Sequence, residues 1–226
     1  MNSIHRISRR GLLRSAAAAG VGLAIPSTLF AEQCLDTPRQ VEGPFYMNTW
    51  DRTKAVKHHN DLTWATDPYM RAEGEPIYLA GQVTDVDCNP MSNVMVEIWQ
   101  ACTTGRYAHA SDPNPARMDP NFRYYGEFVT DENGMYSFKT VKPGAYPVMG
   151  SWVRPSHVHF KLTAGLRGML TTQMYFAGDE YLAGDRLLNS VSKAEQKRLI
   201  VEPTRRQGGT DDDLYTFNIH LIPGRF

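Results

Sequence analysis

The amino-acid sequence predicts an all-β protein, an antiparallel β-sandwich with a loop-rich N-terminal arm and one short helix near the C-terminus. Short segments rich in β-branched and aromatic residues recur along the chain, and turn residues separate them. Two of these segments alternate apolar and polar residues, the pattern of a half-buried strand. Only one segment has the features of a helix, and many short strands with scarcely any helix favour two packed sheets.

The first 31 residues are predicted to be a signal peptide rather than part of the fold. Arg9-Arg10 precedes a stretch of small and apolar residues, 15–25, and the segment ends near Ala31, as is typical of export signals. Paired arginines before such a stretch favour the twin-arginine route, with a general secretory signal as the alternative. We therefore expect a periplasmic or extracellular protein. A permanent membrane span is not expected, because the apolar stretch is short.

The charge and the cysteine spacing argue against nucleic-acid binding and against zinc-knuckle or thioredoxin-like sites. Residues 1–31 contain four arginines and no acidic residue, so the rest of the chain is mildly acidic. A mildly acidic chain without a cluster of Lys and Arg is a poor nucleic-acid binder. Cys34, Cys88 and Cys102 show no C-x-x-C spacing, so neither a zinc knuckle nor a thioredoxin-like site is indicated. An oxidising compartment would allow one disulfide, and the sequence does not choose the pair.

After residue 31 the sequence divides into an irregular arm, residues 32–75, and a β-sandwich domain, residues 76–226. The predicted strands are Ile77–Thr84, Val94–Gln100, Gly126–Thr130, Met135–Thr140, His157–Thr163, Thr171–Phe176 and Leu214–Ile222. Asn133-Gly134 is a strong signal for a hairpin turn between the third and fourth strands. The predicted helix covers about Ser192–Leu199, where Ser192 and Glu195 have the spacing of a capping box.

Two histidines on one predicted strand are candidate metal ligands. His157 and His159 lie two residues apart, so their imidazoles project from the same face of the strand. The apolar residues Val158, Phe160 and Leu162 fall on the opposite face. Such a pair can bind one metal ion, but a solvated strand face explains the pattern alone equally well.

Two tyrosines and an arginine are candidates to join the histidines. Tyr107 lies on the loop after the second predicted strand, and Tyr146 lies in the segment 142–147, which is rich in Pro and Gly. Arg154 comes three residues before His157. Neither tyrosine is unusual alone, because the chain has 11 tyrosines and most are expected to be structural.

Taken together, these segments resemble the intradiol ring-cleavage dioxygenases, the family of catechol and protocatechuate 3,4-dioxygenases. The family's motifs occur in its order and spacing between Ile77 and Asp179, with a looser match at residues 42–46. The motifs are V-E-I-W-Q followed by G-R-Y, then D-E-N-G-x-Y-x-F, K-P-G-A-Y-P, R-P-S-H-V-H-F and T-T-Q-M-Y-F-A-G-D. This resemblance covers more than half of the chain that remains after the signal peptide.

The resemblance implies a non-heme iron(III) cofactor and a ring-cleavage reaction. The implied iron ligands are Tyr107, Tyr146, His157 and His159. Arg154 and Gln173 match the arginine and glutamine that lie beside the substrate. The implied reaction inserts both atoms of O2 into a catechol-type diol and cleaves the ring between the hydroxylated carbons, giving a cis,cis-muconate-type diacid. Phenolate oxygens suit ferric iron, a hard cation, and Tyr146 is the ligand expected to leave when a catechol binds.

Two other classes of protein would share part of this sequence pattern. An exported, non-catalytic transthyretin-like sandwich would show the same strands, and a cupin-like copper or ferrous oxygenase would use the same His-x-His pair. The substrate stays open among catechol, protocatechuate, hydroxyquinol and larger diols. Because one chain carries all four implied ligands, a homo-oligomer is compatible with the sequence. The histidines at positions 58, 59, 109 and 220 are expected to be surface or structural residues, and Asp211–Asp213 a solvated turn.

Overall fold

The computed structural model describes residues 34–46, 60–165, 168–205 and 213–221. The chain divides into two units, residues 1–32 and 33–226, and every described residue belongs to the second unit. The predicted signal peptide therefore lies outside the described residues. Within the described part of the chain, no helix is long and apolar enough to cross a membrane.

Strands dominate the described residues. In chain order they are β1 (Pro76–Thr84), β2 (Met95–Trp99), β3 (Tyr125–Val129), β4 (Met135–Val141), β5 (Tyr146–Met149), β6 (Trp152–Arg154), β7 (His157–Thr163), β8 (Met169–Phe176), β9 (Ile200–Val201), β10 (Pro203–Arg205), β11 (Asp213–Thr216) and β12 (Ile219–His220). Two short 3-10 helices, η1 (Leu182–Gly184) and η2 (Leu188–Ser190), and the helix α1 (Lys193–Leu199) lie between β8 and β9. The first six predicted strands are confirmed, with bounds shifted by a residue or two.

The two larger sheets form the sandwich. One has the order β10-β11-β1-β12, with β4 also pairing with β1, and the other has the order β3-β2-β7-β8-β9. Strands β5 and β6 form a separate hairpin. Most pairs are antiparallel, as predicted, but β1 pairs in parallel with β11 and β12, and β8 pairs in parallel with β9. The sheets are therefore mixed at these positions, which residue alternation could not reveal because it carries no strand direction.

The last predicted strand, Leu214–Ile222, is corrected by the structure: an interruption at Phe217 and Asn218 divides it into β11 and β12. There the Asn218 side chain, rather than the backbone, accepts a hydrogen bond from Gln82 N at 3.1 Å. The chain also passes so close to Gly81 that a Cβ there would lie 2.0 Å from the Phe217 carbonyl oxygen. Alternation continues through the interruption, because Tyr215, Phe217, Ile219 and Leu221 are all buried.

The alternation predicted in β7 is confirmed on its apolar side. Val158, Phe160 and Leu162 are fully buried in the core between the sheets, where the Phe160 ring lies 5.1 Å from that of Phe217. The polar side of β7 is also covered. His157 and His159 are each only 2% exposed, so the solvated-face explanation of this pair is wrong.

The helix α1 begins as predicted. Ser192 is its N-cap and accepts a hydrogen bond from Glu195 N, while the Glu195 side chain accepts one from Ser192 N. This reciprocal pair satisfies two backbone donors that the helix itself cannot pair.

The N-terminal arm is tied down by hydrogen bonds and by a disulfide. Thr37 N donates to His220 O at 3.1 Å, and Gln40 N donates to Thr171 O at 3.0 Å. Cys34 is bonded to Cys88 in the turn between β1 and β2, whereas Cys102 is free and buried. The arm therefore contacts the β1–β2 turn, β12 of the first sheet and β8 of the second, and β8 pairs with the strand that carries the two histidines.

Candidate active site

Two glycines let the loops that carry the tyrosines come together. A Cβ on Gly105 would lie 2.4 Å from the Ala145 carbonyl oxygen, and a Cβ on Gly144 would lie 2.2 Å from another backbone oxygen. Only glycine fits such a close approach of two backbones. The approach brings Tyr107 and Tyr146 into a perpendicular contact, with ring centroids 5.5 Å apart.

Strand β7 brings the two histidines to the same point. His157 Nδ1 lies 2.6 Å from Pro155 O, and because a carbonyl only accepts, this nitrogen carries the hydrogen. His157 Nε2 is then an acceptor, and it lies 3.4 Å from the Tyr107 hydroxyl. The His159 ring stacks on Trp99 with 4.7 Å between centroids, and its buried Nδ1 has no hydrogen-bond partner among the residues that the structure describes.

Burial sets the protonation of these four side chains. It is the main cause that raises the pKa of Tyr107 well above its ordinary value, and it also raises the pKa of Tyr146. Burial, followed by the charge of Arg154, lowers the pKa values of His157 and His159 well below the ordinary value. At neutral pH the metal-free protein therefore holds two phenols and two neutral imidazoles, and neutral imidazole is the form that binds metals.

Arg154 and Gln173 lie beside this cluster because of strand register. Arg154 is opposite Tyr146 in the β5–β6 hairpin, and Gln173 is opposite His159 in the β7–β8 pair. The two side chains meet, since an Arg154 terminal nitrogen donates to Gln173 Oε1 at 2.6 Å. Gln173 Nε2 in turn donates to Val41 O of the arm at 2.8 Å. The structure thus brings together all six side chains that the sequence predicted for the site.

A cavity of about 190 Å³ opens beside the cluster, and Tyr146, Arg154 and His159 line it. Much of its remaining wall is apolar and comes from the arm and from the β5–β6 hairpin, for example Phe45 and Val148. A larger cavity of about 280 Å³ lies between the arm and α1, and it contains none of the predicted site residues. The smaller cavity is therefore the one placed for chemistry at these side chains.

Several residues at the site were not predicted. Asp185 forms an ion pair with Arg154, with 3.0 Å between Oδ1 and Nε, and the Tyr175 hydroxyl donates to Gln173 Oε1 at 3.0 Å. Phe45 packs on Tyr107 with 4.7 Å between ring centroids. No local pattern distinguishes Asp185, whereas Phe45 and Tyr175 lie in segments that already resembled family motifs and could have been selected there.

The histidines expected to have other roles lie elsewhere or outside the described residues. His109 is half-buried against Phe45, and His220 Nδ1 lies 2.5 Å from Thr84 Oγ1. His58 and His59 fall outside the described residues, as do Asp211 and Asp212 of the predicted solvated turn.

Comparison with known proteins identifies the relatives of this arrangement. Residues 41–223 match the family model described as Dioxygenase, and the match begins inside the arm. The protocatechuate 3,4-dioxygenase beta chain of Burkholderia cepacia is 45% identical over 131 residues, which cover 56% of this chain and 55% of that protein. The chain belongs to the intradiol dioxygenase family. This membership excludes the transthyretin-like and cupin-like alternatives.

Two further comparisons show how much of the chain is shared with known dioxygenases. Catechol 1,2-dioxygenase of Acinetobacter baylyi is 34% identical over 162 residues, which cover 66% of this chain and 49% of that protein. The solved dioxygenase domain of a dioxygenase and carbohydrate-binding protein fusion from Streptomyces sp. SirexAA-E is 25% identical. It superposes with a TM-score of 0.62 over 84% of this chain and 99% of that domain. The chain spans about half the length of the curated relatives it matches.

Proposed function

We propose that the chain is a non-heme iron(III) intradiol dioxygenase. It inserts both atoms of O2 into a catechol-type diol and cleaves the ring between the hydroxylated carbons, giving a cis,cis-muconate-type diacid. The observation that carries this proposal is the convergence of two buried tyrosines and two buried histidines at the wall of a small cavity that Arg154 also lines.

The donor set fits a ferric ion. Among the described residues, no group of three or more His, Cys, Asp or Glu side chains could hold a metal. Tyr107 and Tyr146 are the neighbouring side chains that could complete a site with His157 and His159. Phenolate oxygens with imidazole nitrogens suit iron(III), a hard cation. The buried Nδ1 of His159, which has no partner in the described part of the chain, is also the kind of polar atom that a bound ion or water explains.

The two tyrosines would have different roles around such an ion. When bound, ferric iron would supply a Lewis acid that the two catechol oxygens chelate, and this would make the ring reactive toward O2. Tyr146 is 7% exposed and lines the cavity, so it is the tyrosine that an entering catechol meets. Its phenolate oxygen would accept a catechol proton as the side chain moves aside. Tyr107 is deeper, and its backbone N–H is held by Asp112 at 2.6 Å, so it would stay in place.

Arg154 would stabilise negative charge on the reacting ring. Its guanidinium is buried and turned toward Gln173 and the cavity. A fixed positive charge in a site from which water is excluded stabilises developing negative charge far better than it would in solvent. The apolar wall contributed by Phe45 and Val148 favours an aromatic ring and excludes water from it.

The proposal includes export by the twin-arginine route to the periplasm or beyond. Its support is the arginine pair before the apolar segment and the bond between Cys34 and Cys88, because disulfides persist mainly in oxidising compartments. The protein would work as a homo-oligomer or alone, since one chain supplies all four proposed ligands.

Colour and oxygen uptake test the proposed function directly. Tyrosinate bound to ferric iron gives a red-brown protein, and we expect that colour together with O2 uptake on at least one of catechol, protocatechuate and hydroxyquinol. His157→Ala should lose iron and colour, while His109→Ala, a histidine outside the cluster, should keep both. A protein that stays colourless and iron-free after ferrous reconstitution in air would overturn the proposal.

A further inference from the structure

A buried carboxylate lies behind the wall of the cavity. Asp185 is fully buried on the segment between η1 and η2. Its Oδ1 lies 3.0 Å from Arg154 Nε and accepts a hydrogen bond from Trp152 Nε1 at 3.2 Å. Its Oδ2 accepts a hydrogen bond from Leu188 N at 3.1 Å. Removing a carboxylate from water is costly unless a cation and hydrogen bonds compensate it, and here Arg154 is that cation.

Two side-chain contacts of Asp185, those of Oδ1, are made to one face of strand β6. Trp152 and Arg154 are alternate residues of β6, so both project from the same face, and both line the cavity. Asp185 contacts each of them and does not itself line the cavity. It is therefore placed to act on the substrate through these two residues and not directly.

The guanidinium of Arg154 is held from two directions. A terminal nitrogen donates to Gln173 Oε1 at 2.6 Å, and Asp185 lies on the Nε side. Among the described residues no acceptor is aligned with the Arg154 Nε–H, so Asp185 at 3.0 Å holds this side of the guanidinium by charge attraction. The hold should therefore depend on the charge of Asp185, and an uncharged isostere should weaken it.

We propose that Asp185 is a positioning residue for the ring-cleavage reaction. It fixes the Arg154 guanidinium against Gln173 before the substrate binds, so that the positive charge already points where negative charge develops on the ring. This inference rests on the proposed function. Charges that need no reorganisation during the reaction contribute most to catalysis, and small displacements of such groups reduce rates strongly.

A double-mutant cycle in turnover tests the proposal. Asp185→Asn should lower kcat for the best catechol by roughly ten- to a hundredfold per bound iron, with KM changed less than about threefold, because the interaction acts in the transition state. In an Arg154→Gln background, adding Asp185→Asn should change kcat by less than about threefold, since the group it positions is gone. Asp185→Glu, which keeps the charge, should recover part of the loss.

The matched control is another buried loop carboxylate. Asp119 is 2% exposed and accepts hydrogen bonds from Glu73 N and Asn121 N at 2.7 and 2.9 Å, but it has no contact with Arg154. Asp119→Asn should leave kcat and KM within about twofold of the unaltered protein. Two results would overturn the proposal: equal fractional losses from Asp185→Asn in both backgrounds, or a loss of iron or stability with an unchanged kcat per iron.

Unfolding separates a failure of this inference from a failure of the proposed function. The same four proteins in metal-free form should show non-additive unfolding free energies, because the two groups contact each other. Additive values would overturn the pairing whether or not the protein is an enzyme. Suppose instead that the values are non-additive but the protein consumes no O2 with any catechol. The contact between Asp185 and Arg154 would then stand, and both the proposed function and the catalytic positioning would be overturned.

Discussion

Gly105 and Gly144 donate their backbone N–H groups to one acceptor, the carbonyl oxygen of Cys102, at 2.9 and 3.0 Å. Each glycine comes two residues before a tyrosine of the site, Tyr107 in one case and Tyr146 in the other. One carbonyl therefore joins the two loops that carry the phenol groups. The distance between those groups is set by backbone contacts in which a Cβ would have no room.

Gly105→Ala should destabilise the protein and lower its iron content. Its φ is +78°, which costs an alanine roughly 1–2 kcal/mol, and the new Cβ would lie 2.4 Å from the Ala145 carbonyl oxygen. That oxygen belongs to the backbone, so the collision can be relieved only by moving one of the two loops that carry the tyrosines. Denaturant unfolding and iron per chain are the measurements.

Gly178→Ala is the control for Gly105→Ala. Its φ is +79°, and a Cβ there meets nothing within 4 Å. The control should therefore lose the same roughly 1–2 kcal/mol of stability from its backbone conformation but should keep its iron. Equal losses of stability and iron in both variants would show that the close contact at Gly105 does not hold the site.

The sequence could predict the local features of this molecule. Residue alternation identified the buried side of β7, because a strand places successive side chains on opposite faces. The spacing of Ser192 and Glu195 identified the start of α1, because a capping box is complete within four residues. The six candidate site residues came from the resemblance to the intradiol dioxygenases, whose short motifs contain all six.

The features that the sequence could not predict depend on tertiary contacts. Asp185 meets Arg154 only because the segment after β8 folds back on the β5–β6 hairpin. The choice of Cys34 and Cys88 depends on the path of the arm, and all three possible cysteine pairs were open. The parallel pairing of β11 with β1 likewise joins segments more than a hundred residues apart.

The two tyrosines should respond differently to loss of the hydroxyl. Tyr146→Phe should leave iron bound but slow catechol binding, because the displaceable base at the cavity wall is gone. Tyr107→Phe should lose more iron, because Tyr107 is the deeper residue and faces His157 Nε2 at 3.4 Å. Iron content, the visible charge-transfer band and rapid-mixing catechol binding distinguish the two. The displacement assignment fails if Tyr146→Phe binds catechol at the rate of the unaltered protein.

Reduction of the disulfide should weaken the arm. The Cys34–Cys88 bond closes a loop with a sequence separation of 54, for which chain entropy gives about 4 kcal/mol of stabilisation. Cys34→Ser, or a reducing agent, should lower the unfolding free energy by an amount that approaches this value. It should also increase hydrogen exchange at the Gln40 amide. Cys102→Ser is the comparison, since Cys102 is buried and forms no disulfide. If reductant does not change the unfolding free energy of the unaltered protein, the disulfide adds no stability.

Iron retention should fall as the pH falls. The slope of the logarithm of iron affinity against pH should give the number of phenol protons that iron binding releases. Burial raises the pKa values of Tyr107 and Tyr146 and lowers those of His157 and His159 in the metal-free protein. Iron must therefore displace two phenol protons and no imidazole proton, so affinity should rise with pH by up to about tenfold per unit per proton. Competition with a chelator of known proton dependence at several pH values measures this. Tyr146→Phe should reduce the slope by one proton, and an unchanged slope would mean that Tyr146 does not bind iron as a phenolate.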